Sequence, residues 1–167
     1  MSLYLGIDPG KKGAMVLLED NRILSSMSLP HLGKDLDLAE LDNWLALACR
    51  SSGVSTDSII ACLEALGSRP AQRMGATSAI TMGKNWGRLD GWLSGVGCRY
   101  DVVNPKTWQK AICPGSADSK IRSIAACRRL FPELDLTPGR KTKPDDNIAD
   151  AACIAEYCRR VLGGSDK

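Results

Sequence analysis

The apolar run Leu3-Tyr4-Leu5-Gly6-Ile7 closes on Asp8, and the turn Pro9-Gly10-Lys11-Lys12-Gly13 follows at once. A buried strand seldom ends on a carboxylate unless something binds its charge. The chain repeats the device. Ser58-Ile59-Ile60-Ala61-Cys62-Leu63 is apolar nearly throughout, as a central strand is, and it ends on Glu64. Asp146 and Asp150 open an apolar C-terminal helix, four residues apart and therefore on one helix face. Two like charges there destabilise a helix unless a cation lies between them. Ala151-Ala152-Cys153-Ile154-Ala155 follows Asp150, so that carboxylate belongs to the side facing a core. Four acids at element ends, remote in sequence, read as one divalent-metal site assembled by folding. Each also has a plainer reading alone. Asp8 caps the turn near the Gly10 amide, Glu64 starts a surface loop, and Asp145 or Asp146 caps the last helix with Asp150 in solvent.

The remaining elements follow from periodicity. Ala14–Leu18 and Ile23–Met27 flank Glu19-Asp20-Asn21-Arg22 as a β-hairpin, making the first three strands an antiparallel meander. Leu38, Leu41, Leu45 and Ala48 have helical spacing, and Ser51-Ser52-Gly53 ends that helix. A Gly/Ser/Pro loop after Glu64 leads into a long helix from about Gln72 to Leu93. Gly75, Gly83, Gly87 and Gly91 recur in it at multiples of four. Glycine costs ~1 kcal/mol per helix position relative to Ala, so the row predicts close backbone approach to the sheet, a second subunit or DNA. Tyr100–Val103 is a short strand, Pro105–Ile112 and Ser119–Phe131 are helices, and Leu136–Pro144 is a basic loop. Asp145–Val161 is the last helix. The expected fold is α/β: one domain over residues 1–162 with a mixed five-stranded sheet covered on both faces, then a flexible tail over 163–167.

Charge is distributed unevenly. Residues 1–68 carry five Lys/Arg against nine Asp/Glu, residues 69–143 fourteen against five, and residues 144–167 three against five. Acids that hold cations beside bases that hold a polyanion are what a phosphate-handling metal enzyme needs. A solvated charged face is the bland alternative. The seven cysteines contain no CxxC pair, which points to reduced, buried thiols in a cytosol-like compartment and away from zinc. No stretch reaches the ~18 apolar residues of a membrane span, and the start lacks the charged region of a secretory signal. The one histidine, His31, sits in a Pro-flanked loop with nothing chemical around it in sequence.

Phosphodiester hydrolysis needs an activated water and stabilisation of the leaving oxygen, and a pair of divalent ions supplies both. Mg²⁺ prefers oxygen ligands, so such a site is built from carboxylates. The expectation is Mg²⁺ or Mn²⁺, two per active site, on Asp8, Glu64, Asp146 and Asp150, with Asp8 bridging.

At these residues the chain resembles the RuvC-type Holliday junction resolvases of the RNase H-like (retroviral integrase) superfamily. The resemblance rests on Gly6-Ile7-Asp8-Pro9-Gly10, Leu63-Glu64, Met82-Gly83-Lys84-Asn85-Trp86-Gly87, Val103-x-Pro105-x-x-Trp108-x-Lys110, Lys120 to Pro132, and Ala149-Asp150-Ala151. It looks most like phage and organelle-type members. The typical bacterial enzyme spaces its last two acids three apart, where this chain has Asn147. The four-residue spacing of Asp146 and Asp150 matches some phage-type members, with Asp145 as the runner-up. The resemblance implies a cytoplasmic homodimer, paired through the long glycine-bearing helix, that binds a four-way DNA junction and nicks two opposed strands.

Basic residues acquire expected roles in binding DNA. They are Lys11 and Lys12 after the first strand, Arg69, Arg73, Lys84 and Arg88 after Glu64, and Lys106, Lys110, Lys120 and Arg122 in the next segments. Arg140, Lys141 and Lys143 precede the acidic helix and are placed to meet the scissile phosphate. Trp86 and Trp92 are expected in the core or an interface rather than stacked on bases. Three rival readings remain: a catalytically inactive branched-DNA-binding dimer, an RNase H-like nuclease acting on flap DNA or RNA–DNA hybrid, and an actin-like ATPase. The last shares the Asp-x-Gly turn but needs two lobes.

Overall fold

Alternation of side chains along a strand decides this architecture. A computed structural model describes residues 2–67, 75–115, 118–139 and 142–166. Strand β1 (Leu3–Asp8) pairs antiparallel with β2 (Ala14–Glu19), which pairs antiparallel with β3 (Arg22–Ser28). On its other edge β1 pairs parallel with β6 (Ile59–Glu64), and β6 pairs parallel with β7 (Arg99–Val103). The sheet order is β3-β2-β1-β6-β7, the expected mixed five-stranded sheet.

Leu3, Leu5 and Ile7 of β1, with Ile59, Ala61 and Leu63 of β6, point to one face. There they meet α1 (Leu38–Ser52) and α2 (Ala76–Val96) through Leu41, Leu45, Leu89, Trp92 and Leu93. Ile60 and Cys62 point to the other face. That face is covered by α3 (Pro105–Ile112), α4 (Ser119–Leu130) and α5 (Asp146–Val161). By the same alternation, Gly6 and Asp8 of β1 and Glu64 of β6 belong to the α5 face.

Helix ends follow local chemistry. Asp37 caps α1 through the Glu40 amide, Asn104 caps α3 ahead of Pro105, and Asp118 caps α4. Gly53 closes α1 at φ 68°, a conformation that favours glycine. The first part of the anticipated long helix, Gln72 included, lies outside the described residues, and α2 begins at Ala76.

Three features differ from expectation. A two-residue hairpin, β4 (His31–Leu32) with β5 (Asp35–Leu36), stands where a loop was anticipated. Local propensity gives no signal for it, because long-range contacts hold it. Buried Asn85 of α2 accepts the Leu36 amide at 3.3 Å and donates to the Lys34 carbonyl at 3.1 Å. Second, a Cβ placed on Gly75, Gly83, Gly87 or Gly91 would meet nothing within 4 Å, so the glycine row does not approach the sheet. Third, residues Gly163–Asp166 form a short 3-10 turn rather than a frayed tail. Gly163 lies so close to the Tyr4 ring that a Cβ would collide with it.

The close approach sits instead at Gly6. A Cβ there would overlap the Ala151 carbonyl oxygen and the Ala155 backbone nitrogen. Ala151, Ala152 and Ala155 are fully buried, and their small side chains let α5 lie on β1. Gly6→Ala is expected to destabilise the protein by ~3 kcal/mol or more in urea unfolding, because backbone has to move. In the single chain Gly87 faces open space, so Gly87→Ala is expected to stabilise the monomer by ~0.5–1 kcal/mol in urea unfolding at dilutions where no dimer forms.

Candidate active site

Parallel pairing of β1 with β6 matches Ile7 with Leu63, so Asp8 and Glu64 end neighbouring strands on the same sheet face. The contact of α5 with β1 brings Asp150 onto that face. Asp146 lies one turn earlier on α5. Folding therefore converges the four acids singled out in the sequence.

Asp8, Glu64 and Asp146 each have a protein donor of their own. Asp8 Oδ1 accepts the Gly10 amide at 2.9 Å. Glu64 Oε2 accepts Trp108 Nε1 at 2.7 Å, and the Glu64 carbonyl accepts Trp86 Nε1 at 2.9 Å. Trp108 is fully buried and holds the Glu64 carboxylate, while Trp86, packed on the other sheet face, holds its backbone. Asp146 pairs with the Lys120 ammonium. The buried Ser123 hydroxyl donates to the Lys120 carbonyl at 3.1 Å and lies near enough to Asp150 to favour its charged form. Asp145 has a different job. Its Oδ1 accepts from the Asn147 amide at 3.0 Å and the Asn147 side chain at 2.9 Å, and it caps α5. Of the two adjacent aspartates, Asp145 is the cap, and the charges of both reach Asp8.

The chain is similar to solved structures of one protein. It matches Thermus thermophilus RuvC with a TM-score of 0.64 and 13% identity, covering 96% of each chain. It matches T. thermophilus RuvC in complex with Holliday junction substrate with a TM-score of 0.63 and 13% identity, covering 98% of this chain and 97% of the other. The fold is RuvC-like. The mixed five-stranded sheet with helices on both faces is accordingly of the RNase H type. No family model matches the chain, and no curated protein does.

Electrostatics within this RuvC-like frame are unusual for acids. Burial pushes the Asp8 carboxyl up to about 6, reinforced by the Asp146 and Asp145 charges and opposed by the Gly10 amide and Lys120. Burial pushes Glu64 up to about 7, with the Asp8 and Asp150 charges adding to it and the Trp108 N–H opposing. Asp150 also rises to about 7, again chiefly through burial, with Asp8 and Asp146 adding. The cluster thus disfavours its own charge. Among the described residues, no group of three or more His, Cys, Asp or Glu side chains converges closely enough to cage a metal ion as it stands. The donor set nevertheless fits a hard divalent cation. It consists of four carboxylates without sulfur or imidazole, and a cation would offset the repulsion they share.

The anticipated DNA-binding residues are dispersed. Lys11 and Lys12 are exposed on the turn after Asp8. Lys106, Lys110 and Arg122 line one small cavity with Gln109, Pro114 and Gly115. Lys84 and Arg88 instead pair with Asp35, at 2.8 and 3.7 Å, and tie the β4–β5 hairpin to α2. Lys120 lies within the acidic cluster, and Lys143 is exposed. Arg69, Arg73, Arg140 and Lys141 lie outside the described residues. Trp92 is buried, donating to Asp42 at 2.6 Å, and Trp86 packs against the α1–α2 core. The supports Trp108 and Ser123 had no role in the sequence reading. Their signal, an indole or hydroxyl buried opposite a strand end or helix start, exists only in three dimensions.

The raised carboxyls set a pH dependence. Unfolded Asp and Glu titrate near ~4, so each of these groups binds its proton more tightly when folded. Their contribution to stability is full below that value and is lost as the pH climbs through about 6 to 7. In EDTA the Tm is expected to be ~5 °C higher at pH 5.5 than at pH 8, a net effect of ~2 kcal/mol. Added Mg²⁺ should raise the pH 8 value and flatten the profile. A flat profile in EDTA would show that these acids do not share a buried cluster.

Proposed function

We propose that this chain is a structure-selective endonuclease that resolves four-way or branched DNA junctions by metal-dependent phosphodiester hydrolysis. The observation that carries the reading is the convergence of Asp8, Glu64 and Asp150 on one sheet face of a RuvC-like fold, with Asp146 one turn away. One of the similar structures is of RuvC in complex with Holliday junction substrate, which supports branched DNA as the ligand class.

Asp8, Glu64, Asp146 and Asp150 are the residues that would hold two Mg²⁺ or Mn²⁺ ions. The ions would supply an activated water and charge stabilisation at the scissile phosphate. The protein's own residues position the rest. Trp108 and the Gly10 amide fix the orientations of Glu64 and Asp8. The Lys120 side chain is mostly exposed, so its pair with Asp146 is worth only ~0–1 kcal/mol and can be exchanged readily. That loosely held ammonium is placed to face an incoming phosphate beside the carboxylates that would hold the ions. The asymmetry of charge fits the same task, since the basic middle of the sequence faces a polyanion.

A homodimer accords with a junction that has two-fold symmetry. The glycine row of α2 faces open space, and Ile80 on the same helix is 71% exposed. Such a face suits the close packing of a second copy. Gly87→Leu is expected to shift sedimentation from dimer to monomer while leaving the fold intact. Seven free, buried cysteines accord with a cytoplasmic setting, in a bacterial host or from a phage, and the Asp146–Asp150 spacing fits the phage-type branch. Among the described residues, no helix is long and apolar enough to cross a membrane.

The decisive experiment incubates the protein with a labelled synthetic four-way junction in Mg²⁺, Mn²⁺ or EDTA. Symmetric, metal-dependent nicks are expected. Asp8→Asn, Glu64→Gln and Asp150→Asn should each lower cleavage by at least ~100-fold with junction affinity nearly unchanged. Binding without cleavage by wild type under every metal would identify a catalytically silent junction-binding dimer. Preference for flap DNA or RNA–DNA hybrid in competition would redirect the substrate.

A further inference from the structure

A cleft of about 430 Å³ opens beside Asp8, within the ~300–1,000 Å³ range of ligand-sized sites. Its walls come from three separate parts of the chain: the Pro9-Gly10-Lys11 turn, the β4–β5 hairpin, and the first turns of α2. Its lining is chemically one-sided. Lys11, Lys34 and His31 bring nitrogen donors, Thr77, Ser78 and Thr81 bring hydroxyls, and no carboxylate lines it. Pro9 and Met82 add apolar surface. The one acid of the hairpin, Asp35, is neutralised by Lys84 and Arg88.

The geometry is held rather than incidental. His31 Nδ1 lies 2.9 Å from the Leu29 carbonyl. A carbonyl only accepts, so Nδ1 carries a proton; Nε2 then accepts in the neutral ring and donates only in the imidazolium. The Asn85 amide pins the hairpin at Lys34 and Leu36, which fixes the far wall. Gly10, bonded to Asp8, forms the wall shared with the acidic cluster.

Resting on the nuclease reading above, we propose that this cleft seats one nucleotide of the DNA strand adjoining the scissile phosphate. Its phosphodiester is held by Lys11 and Lys34 and by the Nε2–H of His31 in its imidazolium form, and its sugar lies on Pro9 and Met82. Nitrogen and hydroxyl donors at the rim of a largely apolar floor match a sugar–phosphate unit, whose sugar face is apolar, and make no demand on base identity. The cleft therefore positions the strand without reading its sequence. It also gives the sole histidine, silent in the sequence, a role as a positioning residue.

The test uses the full chain and a four-way junction in EDTA, so that binding is read apart from chemistry. Lys34→Ala and His31→Gln should each weaken binding by about three- to tenfold, and Lys34→Ala should make the log–log salt dependence shallower by ~1. Lys34→Arg should restore the slope, and Arg50→Ala on α1 should leave it unchanged. In Mg²⁺ the losses should appear mainly in KM. Melting curves equal to wild type would show that the fold is intact, since Lys34 is exposed. Wild-type binding and cleavage with unchanged slopes and affinities in the Lys34 and His31 variants would overturn the cleft while leaving the nuclease reading standing. No junction binding by wild type would overturn both.

Discussion

The contact of α5 with β1 at Gly6 is what the rest of the structure depends on. Bare backbone at Gly6 meets the Ala151 carbonyl and the Ala155 amide, so helix and strand touch without side chains between them. That closeness sets the distance from Asp150 to Asp8, because one sits next to Ala151 and the other two residues beyond Gly6. A larger residue at 6 would lift the helix and separate the two carboxylates before it affected anything else. The fold and the candidate site thus share one packing constraint, and the alanine-rich start of α5 is part of it.

Much of this was legible in the sequence, for physical reasons that can be named. Period-two alternation places Asp8 and Glu64 on the same face as soon as β1 and β6 pair in parallel, and both apolar runs announce their strands. Helical spacing places Asp146 and Asp150 on one side of α5. The choice between Asp145 and Asp146 was not legible, since both suit an N-cap. The hydrogen bonds from Asn147 to Asp145 separate them, and those depend on the chain direction at the helix entry.

Glycine was the least transparent signal. Three glycines in α2 and the one that caps it stood out by their spacing, yet none approaches the sheet. The single Gly6, unremarkable in an apolar strand, makes the tightest approach to a helix. Frequency marks a surface here, whereas necessity marks the core. The β4–β5 hairpin escaped for a related reason. Strands of two residues have no periodicity, and the forces that hold this hairpin come from Asn85, Lys84 and Arg88, roughly fifty residues away in sequence.

The electrostatic arrangement has a direction to it. Buried Asp8 and half-buried Glu64 and Asp150 are pushed toward neutrality by desolvation and by one another. An anionic phosphodiester approaching such a cluster would be repelled unless positive charge came first or came with it. Lys120 offers one such charge from within, on an exposed and easily exchanged arm. The hydroxyl- and lysine-lined cleft offers others from the flank, separated from Asp8 by the Gly10 turn. On the proposed nuclease reading, donors that can hold a backbone phosphate border the acids on that side, so a strand would be gripped before its scissile group reached the repulsive centre. Binding energy from the flank then offsets the cost of bringing like charges together, which is the task any carboxylate-built nuclease centre has to solve.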